Sequence, residues 1–160
     1  MATEDRKGMA MIEMLTVSLE AARQIIQGAE TKARSLGCAV NIAVVDAGGN
    51  LVAHVRMDNA RIGAIDIAIN KAWSARAFDM ETAELGSYSQ PGGPFFGIHA
   101  SNGGRVMILA GGVPLRHAGQ VTGVSGGSDE EDSACARAGA DALTSPSTHG
   151  STAHYILERR

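Results

Sequence analysis

Two basic side chains stand where they could bind or activate a small acid. Lys71 lies in the middle of a predicted helix, within NKAWSA, where the neighbouring Ala, Ile and Trp side chains would exclude water from its ammonium group. Desolvation lowers the pKa of a lysine, so Lys71 could act as a base, form an imine or anchor a carboxylate. Alternatively, its stem packs along apolar surface while its charge reaches water. Arg56 is the better anion clamp, because a planar guanidinium holds a carboxylate with two hydrogen bonds.

Three histidines fall within predicted elements or ordered loops, and any of them could ligate iron or move a proton: His54, His99 and His117. No pair of them has a spacing that is diagnostic of a metal site. His54 lies in an alternating strand pattern, where a hydrogen-bonded imidazole is the simpler interpretation. His99 follows an aromatic pair inside a glycine-rich stretch. We therefore take His99 as the candidate metal ligand and, with Lys71, as a candidate catalytic residue.

The stretch 81–101, ETAELGSYSQPGGPFFGIHAS, begins as a short helix and then loses all periodicity. Long loops without regular structure are uncommon unless they line a site. Phe95 and Phe96 would supply an apolar wall, and Gly92 and Gly93 would let a ligand lie close to the backbone. We predict that these four residues bind the ligand.

A second glycine-rich segment, Ser125, Gly126 and Gly127, precedes the last predicted helix. Free N–H groups and the helix dipole favour an anion at such a position. The first turn of that helix already carries three carboxylates, however, and these would repel a phosphate. Capping and close packing are therefore favoured, and backbone contact with a carboxylate-sized ligand remains open as a further binding prediction.

The elements that must position these residues follow from periodicity and from turn residues. The first helix begins after Ser18 and ends at Gly37, and a second helix covers 62–78 with an isoleucine face and an alanine face. Between them, 40–45 and 51–55 read as two strands joined by a turn that contains Asp46. The alanine and isoleucine faces together predict that the second helix is covered on both sides.

The glycine-rich block 102–143 predicts a three-strand meander followed by a helix. The strands are expected at 105–110, 113–117 and 120–125, because Gly and Ala pairs supply tight reversals between them. Pro114 cannot donate in a central ladder, so its strand should lie at a rim, bulge or strand end. The last helix should begin near Asp129 and end near Leu143. Its small residues would let another backbone approach closely.

The composition bounds the class of protein. A chain of 160 residues with 44% hydrophobic residues can bury a core of its own as one globular domain. The formal charge of -3, without a basic run, predicts no nucleic-acid partner. No apolar stretch is long enough for a membrane span, and the start lacks the order of a signal peptide, so we expect a cytoplasmic protein with no membrane partner. Cys38 and Cys135 are interpreted as thiols rather than a disulfide.

Several motifs agree in order and spacing with the GlcG/HbpS family, which includes the C-terminal domain of PduO-type proteins. They are VVDAGGNLVAHVRMDNA, INKAWSARAF, GGRVMILAGGVPL and GVSGGSDEEDSACARAGADAL. The chain resembles this family over residues 16–143, which leaves 1–15 as an N-terminal arm and 144–160 as a C-terminal tail. The resemblance implies a compact α/β (α+β) domain in which an antiparallel sheet of about five strands packs with helices in a profilin-like arrangement.

The resemblance also implies a function. Members of the family are associated with haem or other tetrapyrrole binding, so haem is the implied cofactor, and they form homo-oligomers, commonly octamers. The prediction is a small-molecule-binding oligomer. The alternative is an enzyme without an organic cofactor that acts on a carboxylate-bearing intermediate, with Arg56 holding the acid and Lys71 or His99 moving the proton. A scaffolding oligomer without a ligand is the third hypothesis.

Overall fold

The computed structural model describes residues 14–117, 120–126 and 129–144. Four helices and four strands are present in these residues: α1 Leu19–Leu36, β1 Asn41–Val45, β2 Leu51–Arg56, α2 Ala64–Phe78, α3 Thr82–Tyr88, β3 Gly112–His117, β4 Gln120–Gly126 and α4 Asp129–Thr144. Two 3-10 turns, Ile98–Ala100 and Asn102–Gly104, lie in the loop between α3 and β3. The chain is thus a mixed helix and strand domain with a small antiparallel sheet.

The first helix forms where the sequence predicts it. The Ser18 side chain accepts a hydrogen bond from the backbone N–H of Ala21, which caps the start of α1. Gly37 ends the helix in the left-handed conformation, with φ of 71°. The buried side of α1 is formed by Ala and Ile residues spaced three and four apart. Local sequence signals therefore fix both ends of this element.

The four strands are ordered β2-β1-β4-β3, and every neighbouring pair is antiparallel. The hairpins β1–β2 and β3–β4 pair strands that are adjacent in the sequence. The pair β1–β4, in contrast, joins strands that are far apart in the sequence. Pro114 lies in β3, at one edge of this sheet, which confirms the predicted rim position and requires no donation from its missing N–H.

Helices cover both faces of the sheet. All five residues of β1 are buried, and alternate side chains of a strand point to opposite faces. Ile42 and Val44 pack with buried residues of α1 and α4, whereas Ala43 and Val45 pack with α2. The alanine face of α2 is accordingly the one that meets the sheet.

The close approach predicted from the small residues of the last helix is confirmed. A Cβ on Gly139 would lie 2.7 Å from the carbonyl oxygen of Ile25 in α1. A Cβ on Gly28 would lie 2.8 Å from the Cβ of Ala142. Only glycine allows α1 and α4 to pack at this distance. Cys135 of α4 is buried here, and burial raises the pKa of its thiol to about 12. Cys38 and Cys135 are both free thiols, as predicted.

The predicted strand at 105–110 is wrong. The backbone N–H of Met107 donates to the Ser74 hydroxyl of α2, and the Ile108 carbonyl lies against Gly86 of α3. This segment therefore fills its hydrogen bonds with helix groups rather than with a neighbouring strand. The sheet has four strands in the described residues instead of about five.

Other predictions need smaller adjustment or lie beyond the described residues. The second helix begins at Ala64 rather than 62, and the last helix extends to Thr144. The predicted arm 1–15 and tail 144–160 fall almost wholly outside the described residues. Within the part of the chain that is described, no helix has both the length and the apolar composition needed to cross a bilayer.

Candidate functional site

Lys71 is buried in an ion pair. Its Nζ lies 2.7 Å from Oδ2 of Asp132, and the two side chains are 2% and 0% exposed. α2 and α4 pack on opposite faces of the sheet, so this pair joins the two helix layers. One of the two sequence interpretations placed the Lys71 ammonium group in water at the end of an apolar stem. The structure shows instead that the ammonium group is buried. Burying the Lys71 ammonium group alone would cost free energy, and the Asp132 carboxylate offsets this cost.

Two glycines at the start of β3 make room for this ion pair. Gly111 has φ of 114°, and a Cβ there would lie 2.5 Å from the Cβ of Asp132. A Cβ on Gly112 would lie 2.5 Å from the carbonyl oxygen of Lys71. The Gly112 N–H donates to the buried Thr82 hydroxyl at 2.8 Å. The glycine pair therefore acts here as a packing device between α2, α3 and α4.

Asp132 is the residue that the sequence interpretation missed. It follows three other acidic residues, and its residue type does not separate it from them. Helical periodicity gives the one usable signal, because Asp132 lies three and four residues before the small residues Cys135 and Ala136, which are buried. An acid on the buried side of one helix and a lysine within an apolar helix each need a partner of opposite charge.

The glycine loop after α3 is built from successive tight turns. The Gly93 N–H donates to Gln90, and the Phe95 N–H donates to the Tyr88 carbonyl at 3.0 Å. A Cβ on Gly93 would lie 2.3 Å from that same Tyr88 oxygen. Gly93 is therefore required for close approach to the chain's own backbone. Gly92 has φ of 83° with open space around it.

Aromatic rings and an imidazole are displayed on this loop. Tyr88 and Phe95 make an edge-to-face contact with ring centroids 5.8 Å apart. Phe96 is 65% exposed, and His99 is also exposed. The Ile98 N–H donates to the Phe95 carbonyl, so Phe96 and His99 belong to consecutive turns. We call Tyr88, Phe95, Phe96 and His99 the loop surface.

A second imidazole lies on the edge strand β2. His54 pairs with Ala43, whose side chain faces α2, and burial lowers the pKa of His54 from its usual 6.5. Its Nε2 is buried without a hydrogen-bond partner in the described structure. On the same face, Asn41 donates to the Arg61 carbonyl while its Oδ1 is likewise without a partner there. The sequence favours a hydrogen-bonded His54, whereas in the described structure its buried Nε2 makes no hydrogen bond.

The remaining predicted binding residues lie on other elements. Arg56 is exposed at the end of β2 and donates to the Ala60 carbonyl at 3.3 Å. Ser125 and Gly126 lie within β4, paired with β1, and Gly127 is outside the described residues. In the described part of the chain, no hydrogen bond or ion pair joins Arg56 to His99. The joint action of Arg56 with Lys71 or His99 on one acid stays a prediction.

A bound metal ion or a haem iron would need ligand side chains from the protein. Among the described residues, no group of three or more His, Cys, Asp or Glu side chains is arranged to hold an ion. A haem iron would need less from the protein, because a single imidazole can hold it. His99, which is exposed, would offer such an imidazole.

Proteins of similar sequence include one of comparable length and one longer. The chain is 36% identical over 135 residues to an uncharacterized 15.0 kDa protein from the dhaT-dhaS intergenic region of Citrobacter freundii, which covers 82% of this chain and 95% of that protein. It is 34% identical over 121 residues to the corrinoid adenosyltransferase PduO of Citrobacter freundii, which covers 74% of this chain and 36% of PduO. The chain thus matches about a third of PduO's length.

Solved structures share the fold. Klebsiella pneumoniae protein ORFY superposes with a TM-score of 0.82 at 32% identity, over 91% of this chain and 99% of ORFY. PduOC, solved as a complex with haem, superposes with a TM-score of 0.75 at 31% identity, over 80% of this chain and 95% of PduOC. A variant of Streptomyces reticuli HbpS gives 0.76 at 29% identity, over 89% and 97% of the two chains. The family model described as haem degrading protein HbpS-like matches residues 17–141, and the chain belongs to this HbpS-like family.

Proposed function

We propose that this chain binds haem or a related tetrapyrrole on the loop surface, where the His99 imidazole would hold the iron. The observation that carries the proposal is the exposure of Phe96, at 65%, one turn away from an exposed imidazole. A porphyrin is a large apolar disc, and an exposed aromatic ring beside a nitrogen donor matches both of its needs. The haem complex of PduOC, a protein of the same family, supports the same ligand class.

Each residue of the loop surface has a distinct role in this proposal. Phe96 would pack against the porphyrin plane, and the Tyr88–Phe95 contact would hold the loop in place beneath it. His99 would supply the nitrogen ligand. Bound haem would itself supply the redox chemistry of iron, so the chain's own contribution is binding and orientation.

Titration with hemin tests the proposal. We expect the Soret band to shift on addition of the wild-type protein, and His99→Ala to weaken binding by about tenfold or more through loss of the iron ligand. Phe96→Ala should weaken binding without changing the ligation signature of the bound fraction. His54→Ala is the matched control, because it removes an imidazole on the edge strand β2, away from the loop surface, and should leave the spectrum unchanged.

Two outcomes would overturn the proposal. An absence of any Soret shift with the wild-type chain would remove haem as the ligand. An identical spectrum and affinity in His99→Ala, with loss of both in His54→Ala, would move the haem from the loop surface to the edge strand β2.

The enzyme alternative has less support. Its proposed base, Lys71, is 2% exposed and paired with Asp132, so a substrate would have to displace a buried carboxylate to reach the ammonium group. Arg56, the proposed acid clamp, donates to the Ala60 carbonyl on a separate element. The proposed homo-oligomer and profilin-like arrangement rest on the family resemblance and accompany the haem-binding function.

A further inference from the structure

A small open cleft lies between the β1–β2 turn and α2. It has a volume of about 210 Å³ and is lined by Ala47, Gly48, Gly49, Trp73, Arg76 and Ala77. Ligand pockets for drug-sized molecules occupy about 300–1,000 Å³. A whole tetrapyrrole is therefore too large for this cleft, whereas a carboxylate on a short chain is not.

The turn that forms one wall is rigid. Oδ1 of Asp46 accepts hydrogen bonds from the backbone N–H groups of Gly48, at 2.9 Å, and Asn50, at 2.8 Å. Burial raises the pKa of Asp46, but the hydrogen bonds from Asn50 and Gly48 outweigh it and the pKa is lowered overall. Gly49 has φ of 78°, and a Cβ there would lie 2.9 Å from the Trp73 ring. The turn is thus seated directly on the indole.

Arg76 supplies one cationic group to this cleft. Its Nε donates to the Ala47 carbonyl at 2.7 Å, and its Nη1 pairs with Asp79 at 2.9 Å. These contacts fix the plane of the guanidinium, and neither of them uses Nη2. A guanidinium held in one orientation loses little side-chain freedom when it binds a carboxylate.

Arg105 brings a second cationic group to the same indole. Its guanidinium carbon lies 4.6 Å from the centroid of the Trp73 ring, and its Nη2 lies 3.5 Å from the Gly49 carbonyl. Within the described part of the chain, no carboxylate forms an ion pair with Arg105. Asp46 and Asp79, in contrast, are committed to the turn and to Arg76. Of the two guanidinium groups beside the indole, Arg105 is therefore the one without a carboxylate partner in the described residues.

We propose that this cleft binds the carboxylate group of a small organic acid, with Arg76 and Arg105 as hydrogen-bond donors and Trp73 as the apolar wall for the attached chain. Guanidinium groups recognise carboxylates through charge-assisted, often bidentate hydrogen bonds. The carboxylate can belong to a free short-chain acid or to a propionate of a larger molecule. The site uses none of the loop-surface residues.

The chain provides its own probe for this site, because Trp73 is its one tryptophan. Tryptophan fluorescence is followed while acetate, butyrate or succinate is added at constant ionic strength, with sodium chloride and butyramide as reference solutes. We expect a saturable change with the carboxylates alone. Ligand-observed NMR of butyrate gives a second readout that does not depend on the indole.

Variants test the assignment of the donors. Arg105→Gln should weaken carboxylate binding by about tenfold or more, because a charge-assisted hydrogen bond is lost. Arg76→Gln should weaken it similarly. Arg23→Gln is the matched control, because Arg23 is exposed on α1 and should bind like the wild type. NMR of butyrate with each variant separates lost binding from an altered indole signal.

The two sources of the carboxylate are separated by hemin and its dimethyl ester. If the short acids saturate the fluorescence change, the ligand is a free acid. If only hemin does so, its ester does not, and Arg105→Gln abolishes the difference, the carboxylate is a porphyrin propionate. No saturable response to any carboxylate, equal responses to chloride, or unchanged affinity in both arginine variants would overturn the site.

Discussion

Lys71 and Asp132 form the least solvated charge pair among the described residues. Both side chains are almost fully buried, and Lys71 Nζ lies 2.7 Å from Asp132 Oδ2. Burying either charge without the other would cost several kcal/mol of lost hydration. Such a pair contributes little more to stability than apolar residues of the same size would. Removing only one of the two charges is strongly destabilising, because the other charge then stays buried without a partner. The pair therefore fixes how α2 and α4 meet at the start of β3.

We expect Asp132→Asn to lower the free energy of unfolding by about 3–5 kcal/mol, because it leaves the Lys71 ammonium buried without its carboxylate. Urea unfolding followed by circular dichroism measures this loss. The double variant Lys71→Met with Asp132→Leu should recover much of it.

The control for this prediction is Glu81→Gln. Glu81 pairs with Arg137 at the same distance, 2.7 Å, but that arginine side chain is 56% exposed, so the change should cost less than about 1 kcal/mol. Equal effects of Asp132→Asn and Glu81→Gln would contradict the assigned role of burial.

His54 predicts a pH dependence of stability. Burial lowers its pKa in the folded state below the usual 6.5. As the pH falls through 6.5, the unfolded chain binds a proton at His54 before the folded chain does, so the unfolded state is favoured. Stability contributed by the neutral imidazole is therefore present above that pH and is lost below it, until the folded form also protonates.

The expected result is a lower urea midpoint for the wild type at about pH 5.5 than at about pH 7.5, and a smaller difference for His54→Gln. His99→Gln serves as the comparison, because His99 is exposed and should leave the difference as it is. A pH dependence that is unchanged in His54→Gln would show that other groups cause it.

Among the connecting elements, the segment that leads into β3 is the one that packs against the buried ion pair. Gly111 and Gly37 both have positive φ, but only Gly111 has another side chain within contact distance of a Cβ position, Asp132 at 2.5 Å. Comparing substitutions at Gly37 and Gly111 therefore separates the free-energy cost of the positive φ from that of the contact with Asp132.

We expect Gly37→Ala to cost about 1–2 kcal/mol, the usual penalty for an L-residue in the left-handed region. Gly111→Ala should cost more than this, by about 1–3 kcal/mol, because it also forces Asp132 to move. Denaturant midpoints of the two variants measure the difference. Equal losses of stability in the two variants would mean that Asp132 and α4 can move away from the added methyl group without cost.

At the level of the whole chain, large apolar side chains remain exposed on more than one side. Ile62 is 74% exposed beside α2, and Leu51 is 48% exposed at the start of the edge strand β2. An edge strand has unpaired backbone groups and is a common place for self-association. These surfaces agree with the homo-oligomer that we propose from the family resemblance.

Light scattering after size exclusion tests the assembly. We expect a mass of about eight times the 16.5 kDa of one chain. If the side of the chain that contains α2 forms a subunit contact, Ile62→Asp should reduce that mass. Leu36→Asp, at the end of α1, is the control substitution of an exposed apolar residue elsewhere. A wild-type mass equal to a single chain would contradict the proposed oligomer.

Local signals along the chain are enough to predict several elements of the fold. The cap at Ser18, the stop at Gly37, both hairpins and the alanine face of α2 all follow from residue type and spacing, because caps, turns and amphipathic faces involve neighbours in the chain. The family also follows from ordered motifs. Phe96 and His99, on one loop, could be placed together for the same reason.

Contacts between distant segments required the folded chain. The fate of residues 105–110 depended on hydrogen bonds from Met107 to Ser74, and the partner of Lys71 proved to be 61 residues away. The group formed by Trp73, Arg76 and Arg105 likewise joins α2 to a loop. Charge pairing, ring stacking and backbone satisfaction act through space, and no periodicity along a chain encodes which distant group will provide them.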